Sequence, residues 1–172
     1  MTTSPNSFFV LAAGEAHRPL LEQLWTMFRH DMSAFTGALP DNDGRFRQER
    51  LDAALIEPGG AAYLFWLGSA PVGLAVVRGL DTNELDTNER IISSFFIVHG
   101  ARRSGVGRAA VKHVTGLQPG LWSVAFQDNN TVASQFWPTV AAEADDRWTL
   151  EHHEVPGRPD LPADAWIRFG VR

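Results

Sequence analysis

Apolar positions along the chain recur with two periods, and the switch between them predicts the elements. Ser7 to Ala12, SFFVLA, is a short continuous apolar run and reads as a strand. From Ala16 to Phe28 the residues Leu20, Leu21, Leu24, Trp25 and Phe28 return at three- and four-residue intervals, the stripe of a helix, and Pro19 falls in its first turn. His30 to Phe46, HDMSAFTGALPDNDGRF, mixes turn formers with Phe35 and Leu39 and reads as a loop-rich, acidic connection. Phe46 to Ile56 is a weaker helix with Leu51 and Leu55 at helical spacing, ended by Pro58, Gly59 and Gly60. Ala61 to Leu67 and Pro71 to Arg78 read as a hairpin about the small residues Gly68, Ser69 and Ala70. Asp81 to Arg90, DTNELDTNER, repeats DTNE, but a repeat so short builds no solenoid and its polarity predicts a solvated loop.

The second half continues with Ile91 to Val98, whose β-branched, aromatic and small residues predict a buried strand. From Gly105 onward Ala109, Ala110, Val111 and Val114 lie on one side of a helix, with Gly116 as its stop signal. Leu121 to Phe126 is another strand, and Asn130 to Val140 a short helix carrying Phe136 and Trp137 and disturbed by Pro138. Trp148 to Val155 and Ala165 to Val171 are two final strands. The order is β, α, α, three strands, α, β, α and a last pair of strands, which predicts an α/β (α+β) chain forming a single domain over residues 1–172.

With 172 residues and 44% hydrophobic content, the chain is long enough for a substantial core. Its net charge is -5, and close basic clusters such as Arg102, Arg103 and Arg108 are too small to make a broad basic face, so nucleic acid is not the expected partner. Without cysteine there is no disulfide, thiolate zinc site or cysteine nucleophile, and no metal is expected. The run Phe8 to Ala13 is too short to span a membrane and lacks a basic leader, which leaves cytoplasmic residence as the default, with no membrane partner.

The stretch from Arg90 to Gly116 brings a strand, an arginine- and glycine-bearing turn and a helix together. Glycine lets a ligand's oxygens approach the backbone, and the first N–H groups of a helix point at whatever lies there, so the turn reads as a cradle for a diphosphate. Two spacings fit. Arg102, Gly105 and Gly107 spell RxxGxG, whereas Gly105, Gly107 and Ala110 spell GxGxxA, a dinucleotide fingerprint, with Asp128 at roughly the distance of a ribose-binding acid. The order of elements disfavours the second: three strands precede the glycines, and too little chain follows for repeated β–α units.

The RxxGxG loop resembles the coenzyme A pyrophosphate loop of the GCN5-related N-acetyltransferases. NTVASQFW, from Asn130 to Trp137, is similar to the NxxAxxFY segment of that family, and HDMSAFTG (His30 to Gly37) and DGRF (Asp43 to Phe46) resemble a bacterial subgroup of predicted acetyltransferases. The resemblance implies the acyl-CoA N-acyltransferase fold, a mixed central sheet of about seven strands with splayed fourth and fifth strands and flanking helices. It also implies acetyl-CoA as co-substrate and a small-molecule amine as acceptor. Arg102, Arg103, Ser104, Gly105, Val106, Gly107 and Arg108 would hold the pyrophosphate, chiefly through backbone N–H groups. The backbone of Phe96, Ile97 and Val98 would pair with the pantetheine arm, and Asn130, Phe136 and Trp137 would face the coenzyme from the other side. Relatives often pair through edge strands, so a homodimer is a further expectation.

Two departures leave the acid and base unassigned. Many relatives place a tyrosine at or near the position of Trp137, but the chain's only tyrosine is Tyr63, and an indole N–H donates a hydrogen bond without being a useful acid. Where relatives offer a strand carboxylate, this chain has Ser93 and Ser94. His30 and Asp31 form a pair able to bind or deprotonate an amine, with a solvated loop as the plainer reading. His152 and His153, in the run EHHE, fall on opposite faces of a strand, so that only one of them can face an acceptor. Asp41 and Asp43 read as turn residues, Asn130 is also a natural helix cap, and Phe136 and Trp137 are equally good core residues. The six tryptophans fit either core packing or a pocket for a flat compound. Two alternatives stand beside the enzyme: a catalytically silent acyl-CoA-binding module, and an NAD(P)-binding enzyme using Gly105, Gly107 and Ala110.

Overall fold

The structure is a computed structural model, and it describes residues 7–79 and 89–172. Its strands are β1 (Phe8–Ala13), β2 (Ala61–Leu67), β3 (Ala70–Gly79), β4 (Arg90–Ile97), β5 (Gly120–Phe126), β6 (Thr149–His153) and β7 (Asp164–Val171). The helices are α1 (Arg18–Thr36), α2 (Glu49–Ile56), α3 (Val106–Gly116) and α4 (Thr131–Ala144), with single 3-10 turns at Glu15–His17 and His99–Ala101. The seven strands lie in the order β1-β2-β3-β4-β5-β7-β6. Pairing is antiparallel for β1 with β2, β2 with β3, β5 with β7 and β6 with β7, and parallel for β4 with β5. This is the α/β chain that the element order predicts, with the mixed seven-stranded sheet that the resemblance implies, and it is unlike the all-parallel sheet of a dinucleotide-binding domain. The parallel ladder is short, joining Arg90 to Trp122, Ile91 to Ser123 and Ile92 to Val124.

Two compact units divide the chain, one drawn from Met1–Arg78 with Ser93–Val114 and the other from Gly79–Ile92 with Thr115–Arg172. In the first, the stripe on α1 buries Leu21, Leu24, Trp25 and Phe28 against Leu51 of α2, Leu64 of β2, Leu74 and Val76 of β3, and Phe96 of β4. The Trp25 indole finds its polar partner in the Arg47 carbonyl at 2.9 Å. The expected loop from His30 is instead helix as far as Thr36. Met32 and Phe35 continue the stripe beyond Phe28, and Met32 packs on the core. Gly37 then ends the helix with φ 67°, its N–H donating to the Ser33 carbonyl at 2.8 Å. Only from Gly37 does the chain turn irregular.

The second unit is built on the antiparallel ladders of β5, β7 and β6, with Trp122, Ile167 and Phe169 fully buried. Its helix α4 runs to Ala144, past the expected end at Val140. Pro138 lacks one intrahelical donor, yet Trp137, Val140 and Ala141 around it are buried, and that packing outweighs the missing bond. Asp145 closes the helix by accepting from the Arg147 N–H at 3.0 Å and from the Gly170 N–H of β7 at 2.8 Å. Most of the predicted loop from Asp81 to Arg90 lies outside the described residues.

Candidate functional site

In the first unit the end of β4, the His99–Ala101 turn and the start of α3 form one continuous structure. β4 is fastened to β3 by the Val98 N–H donating to the Val72 carbonyl at 2.8 Å and by the Ser93 hydroxyl donating to the Val76 carbonyl at 3.1 Å. Backbone groups alternate along a strand. With the Val98 amide committed to β3, and the Phe96 carbonyl 2.2 Å from where a Cβ on Gly73 would sit, Ile97 is the one of the three expected strand residues whose backbone faces the edge away from β3. On that edge the Ile97 carbonyl already accepts from Arg102 Nε at 2.7 Å.

Beyond β4 the chain turns sharply. Ala101 N–H donates to the Val98 carbonyl at 3.0 Å, Arg102 N–H to the His99 carbonyl at 3.2 Å, and the Ser104 hydroxyl to the Ala101 carbonyl at 2.7 Å. Two residues of the turn are left-handed, Arg103 with φ 61° and Gly105 with φ 86°. A left-handed arginine is disfavoured by about 1–2 kcal/mol. Such an outlier persists where the surrounding structure imposes it, and it is commonest at ligand-holding turns. A Cβ on Gly105 would meet nothing within 4 Å, so its glycine answers to the dihedral and leaves open space beside the backbone. Helix α3 begins directly afterward, its first hydrogen bond running from Ala109 N–H to the Gly105 carbonyl at 3.1 Å. First-turn amides, those of Val106 and Gly107 among them, have no carbonyl within the helix to bond. The exposed turn followed by the helix N-terminus suits an anion.

The Arg102 side chain is already partnered. Its guanidinium does not extend into the open space but is tied within the unit: Nη2 to the Asp31 carboxylate, Nη1 to the His99 ring at 3.2 Å, Nε to Ile97, with the Phe96 ring 5.8 Å away in cation–π range. Both members of the ion pair are well covered, at 28% and 29% side-chain exposure. Asp31 is therefore a partner of Arg102, with His99 3.5 Å away, and its neighbour His30 is exposed. The Asp31 carboxylate, expected as a possible amine ligand, is bonded to Arg102 and so ties the turn to α1. No local pattern reveals this, because 71 residues separate the two side chains.

The remaining candidates fall as follows. Ser93 is engaged with β3, while the Ser94 hydroxyl is buried and has no hydrogen-bond partner among the described residues. In the second unit Asn130 caps α4, its side-chain oxygen accepting from the Ala133 N–H at 3.1 Å. Phe136 and Trp137 meet edge to face at 5.0 Å, with Trp137 only 5% exposed. The two histidines of β6 lie on opposite faces, His152 against Asp128 at 3.0 Å and His153 against Glu151 at 3.1 Å. Asp41 and Asp43 share a turn in which Asp41 accepts the Arg45 N–H at 2.9 Å; a hydrogen bond between the two carboxyls holds Asp41 above its ordinary value and Asp43 below. Among the described residues no cluster of three or more His, Cys, Asp or Glu is placed to hold a metal, and no helix is long and apolar enough to cross a membrane.

Comparison with known proteins places the fold. Neither a family profile nor a curated protein sequence matches the chain. Solved structures do. An acetyltransferase from Thermus thermophilus aligns over 98% of this chain and 100% of its own with a TM-score of 0.70 at 17% identity. Arabidopsis thaliana Naa50, solved in complex with the bisubstrate analogue CoA-Ac-MVNAL, aligns over 96% and 99% with a TM-score of 0.65 at 13% identity. An aminoglycoside acetyltransferase, meta-AAC0020, from an uncultured soil metagenomic sample aligns over 86% and 96% with a TM-score of 0.58 at 15% identity. The chain has the GCN5-related N-acetyltransferase fold.

Proposed function

We propose that this protein is an acyl-CoA-dependent N-acyltransferase that moves an acetyl group from acetyl-CoA to the amine of a small molecule by direct attack in a ternary complex. The observation carrying this reading is the turn at Arg103 and Gly105, left-handed at both residues and opening α3 at the end of β4. It sits in a fold shared with acetyltransferases, one of them solved with a coenzyme A bisubstrate analogue. The residues fit the coenzyme. The open backbone at Gly105 and the amides of Val106 and Gly107 would receive the pyrophosphate, and the Ile97 edge of β4 would receive the pantetheine arm. Asn130, Phe136 and Trp137 remain proposed coenzyme contacts from α4.

Acetyl-CoA supplies the activated acyl group; the protein's own part is to hold and orient it. In the transfer the amine nitrogen bonds to the acetyl carbon, the carbon–sulfur bond breaks, and the proton lost by nitrogen ends on sulfur. Neither Ser93, bound to the Val76 carbonyl, nor the Trp137 indole is suited to carry that proton, so water would do so. The same observation favours a second reading, a silent acyl-CoA-binding module.

A thermal-shift titration with acetyl-CoA, coenzyme A, NADH and NADPH tests the first step. Acetyl-CoA at a hundred times its dissociation constant stabilises by about 2.7 kcal/mol, about 5–10 °C for a chain of this size. The native protein is expected to show that shift and Gly105→Trp to lose it. A shift with NADH or NADPH alone refutes the reading. Release of free thiol from acetyl-CoA on adding a panel of primary amines then separates the enzyme from the silent module.

A further inference from the structure

The second unit contains a cavity of about 300 Å³ that the coenzyme cradle does not use. It opens on one face of the β6–β7–β5 ladder. Register places Ser123 opposite Arg168, Arg168 opposite Thr149, Trp166 opposite Glu151 and Asp164 opposite His153, so these side chains share a face. Ser123 is also opposite Ile91, and Glu89, two residues before it, returns to the same face. Among the described residues the lining carries four carboxylates, Glu89, Glu151, Glu154 and Asp164, with one guanidinium, that of Arg168, and the His153 ring, 3.1 Å from Glu151.

Two of these groups are buried without being used up. Glu89 is 6% exposed, and its bond from Arg168 Nε at 3.0 Å, to one oxygen, is the only one it makes among the described residues. An ionised carboxylate accepts about four hydrogen bonds. Ser123 is 1% exposed and its hydroxyl has no partner among the described residues. A buried hydroxyl left unpaired is destabilising by about 1–3 kcal/mol, and a ligand atom in the cavity would remove that loss. Trp166 adds an aromatic wall, set edge to face with His153 at 6.4 Å.

We propose that this cavity binds a small primary ammonium compound with an apolar body. An ammonium group brings three donors and one positive charge. It would use the unfilled acceptor capacity of Glu89 and the Ser123 hydroxyl, in a site whose carboxylates exceed its cations, while its carbon chain lies on Trp166. A carboxylate-bearing compound would meet like charges, and an alcohol would leave the excess negative charge uncompensated. Such an amine is of the class an N-acyltransferase consumes, a link that rests on the reading above; the binding itself does not.

The test is an amide and indole NMR titration of the ¹⁵N-labelled protein, without coenzyme, using n-hexylamine, hexyltrimethylammonium, 1-hexanol and hexanoate. Trp166→Phe assigns the reporting indole among the six tryptophans. Hexylamine is expected to move the Trp166 indole signal and the Ser123 amide and to bind at least about fivefold more tightly than the other three. Ser123→Ala is expected to weaken it about fivefold, and Glu89→Gln about tenfold. Glu151→Gln, at an exposed position where folding is not at issue, is expected to weaken it about threefold. Equal binding of 1-hexanol or of hexyltrimethylammonium overturns the proposal, as does an unmoved Trp166 signal. Acetyl-CoA is titrated separately and read at the amides of Val106 and Gly107. Hexylamine binding without acetyl-CoA binding keeps this site and removes the acetyl-transfer reading, and the reverse keeps that reading and removes this site.

Discussion

Replacing Gly73 by alanine should unseat the strand on which the proposed coenzyme edge depends. An added Cβ would lie 2.2 Å from the Phe96 carbonyl oxygen and 3.0 Å from both Ile97 Cδ1 and Phe65 Cδ2. Carbon–oxygen contacts settle at about 3.3–3.6 Å, so β3 and β4 would have to part by about 1 Å. The obstacle is backbone and cannot swing aside. Next to it the Val98 N–H to Val72 carbonyl bond spans 2.8 Å, and a 1 Å extension removes it. Overpacking contributes about 1–3 kcal/mol and the lost bond about 1 kcal/mol, for a total of about 2–4 kcal/mol. At about 2–4 °C per kcal/mol for a chain of this length, the melting temperature should fall by about 5–15 °C. Urea unfolding followed by tryptophan fluorescence measures the same quantity. Gly116→Ala, the last residue of α3 with nothing within 4 Å of its added Cβ, is the control and should be neutral or slightly stabilising. If Gly73→Ala stays within about 0.5 kcal/mol of the native chain, the close approach of β3 to β4 does not hold and the assignment of Ile97 to the outer edge fails with it.

Four further outcomes are expected. Arg103→Gly relieves a left-handed arginine, offset in part by the freedom glycine gains when unfolded, so urea unfolding should show stability unchanged or raised by up to about 1 kcal/mol. The acetyl-CoA thermal shift should survive that change, because the proposed hold is through backbone amides; its loss would give the role to the side chain. A double-mutant cycle of Arg102→Met with Asp31→Asn should return a coupling of about 1 kcal/mol or more, and simple additivity would refute the anchor. Ser94→Ala removes a buried hydroxyl that has no partner among the described residues, so stability should hold or rise; a loss above about 1 kcal/mol would contradict that environment. Asp145 is held below its ordinary value by the N–H groups of Arg147 and Gly170. Its stabilisation is therefore complete above the unfolded pKa and is lost as pH falls through the lower folded value, so Asp145→Asn should destabilise at about pH 7 and progressively less as the pH is lowered below the ordinary carboxylate range, as urea midpoints along an acid series would show.

The elements were legible where one residue's neighbours in sequence are also its neighbours in space. The stripe from Leu20 to Phe28 locates α1, and the apolar run at Ile91 locates β4, because period alone decides which face is buried. The end of α1 was not legible in HDMSAFTG, where Asp, Ser and Thr read as turn formers. The Ser33 and Thr36 hydroxyls instead bond back to the His30 and Met32 carbonyls, and Met32 packs on a core formed by strands far along the chain. Pro138 misled in the same way, since burial of Trp137 and Val140 overrides the local penalty. Local chemistry argues for an ending, and tertiary packing extends the helix.

The turn from Arg102 to Gly107 shows where a motif stops being informative. RxxGxG specifies the backbone path well, since Gly105 must supply φ 86° and α3 must begin directly after it. It says nothing about where the Arg102 side chain goes, because a guanidinium with five donors is satisfied equally by a phosphate or by Asp31, His99 and the Ile97 carbonyl. The structure takes the second option, and the division of labour follows. The arginine fixes the strand end and the turn against α1, partly by taking the Ile97 carbonyl, while the first-turn amides of α3 have no partner within the helix. A conservative change to lysine should therefore fail at this position: a point charge can pair with Asp31 but cannot at the same time bridge to the Ile97 carbonyl and lie over Phe96 as the planar fork does.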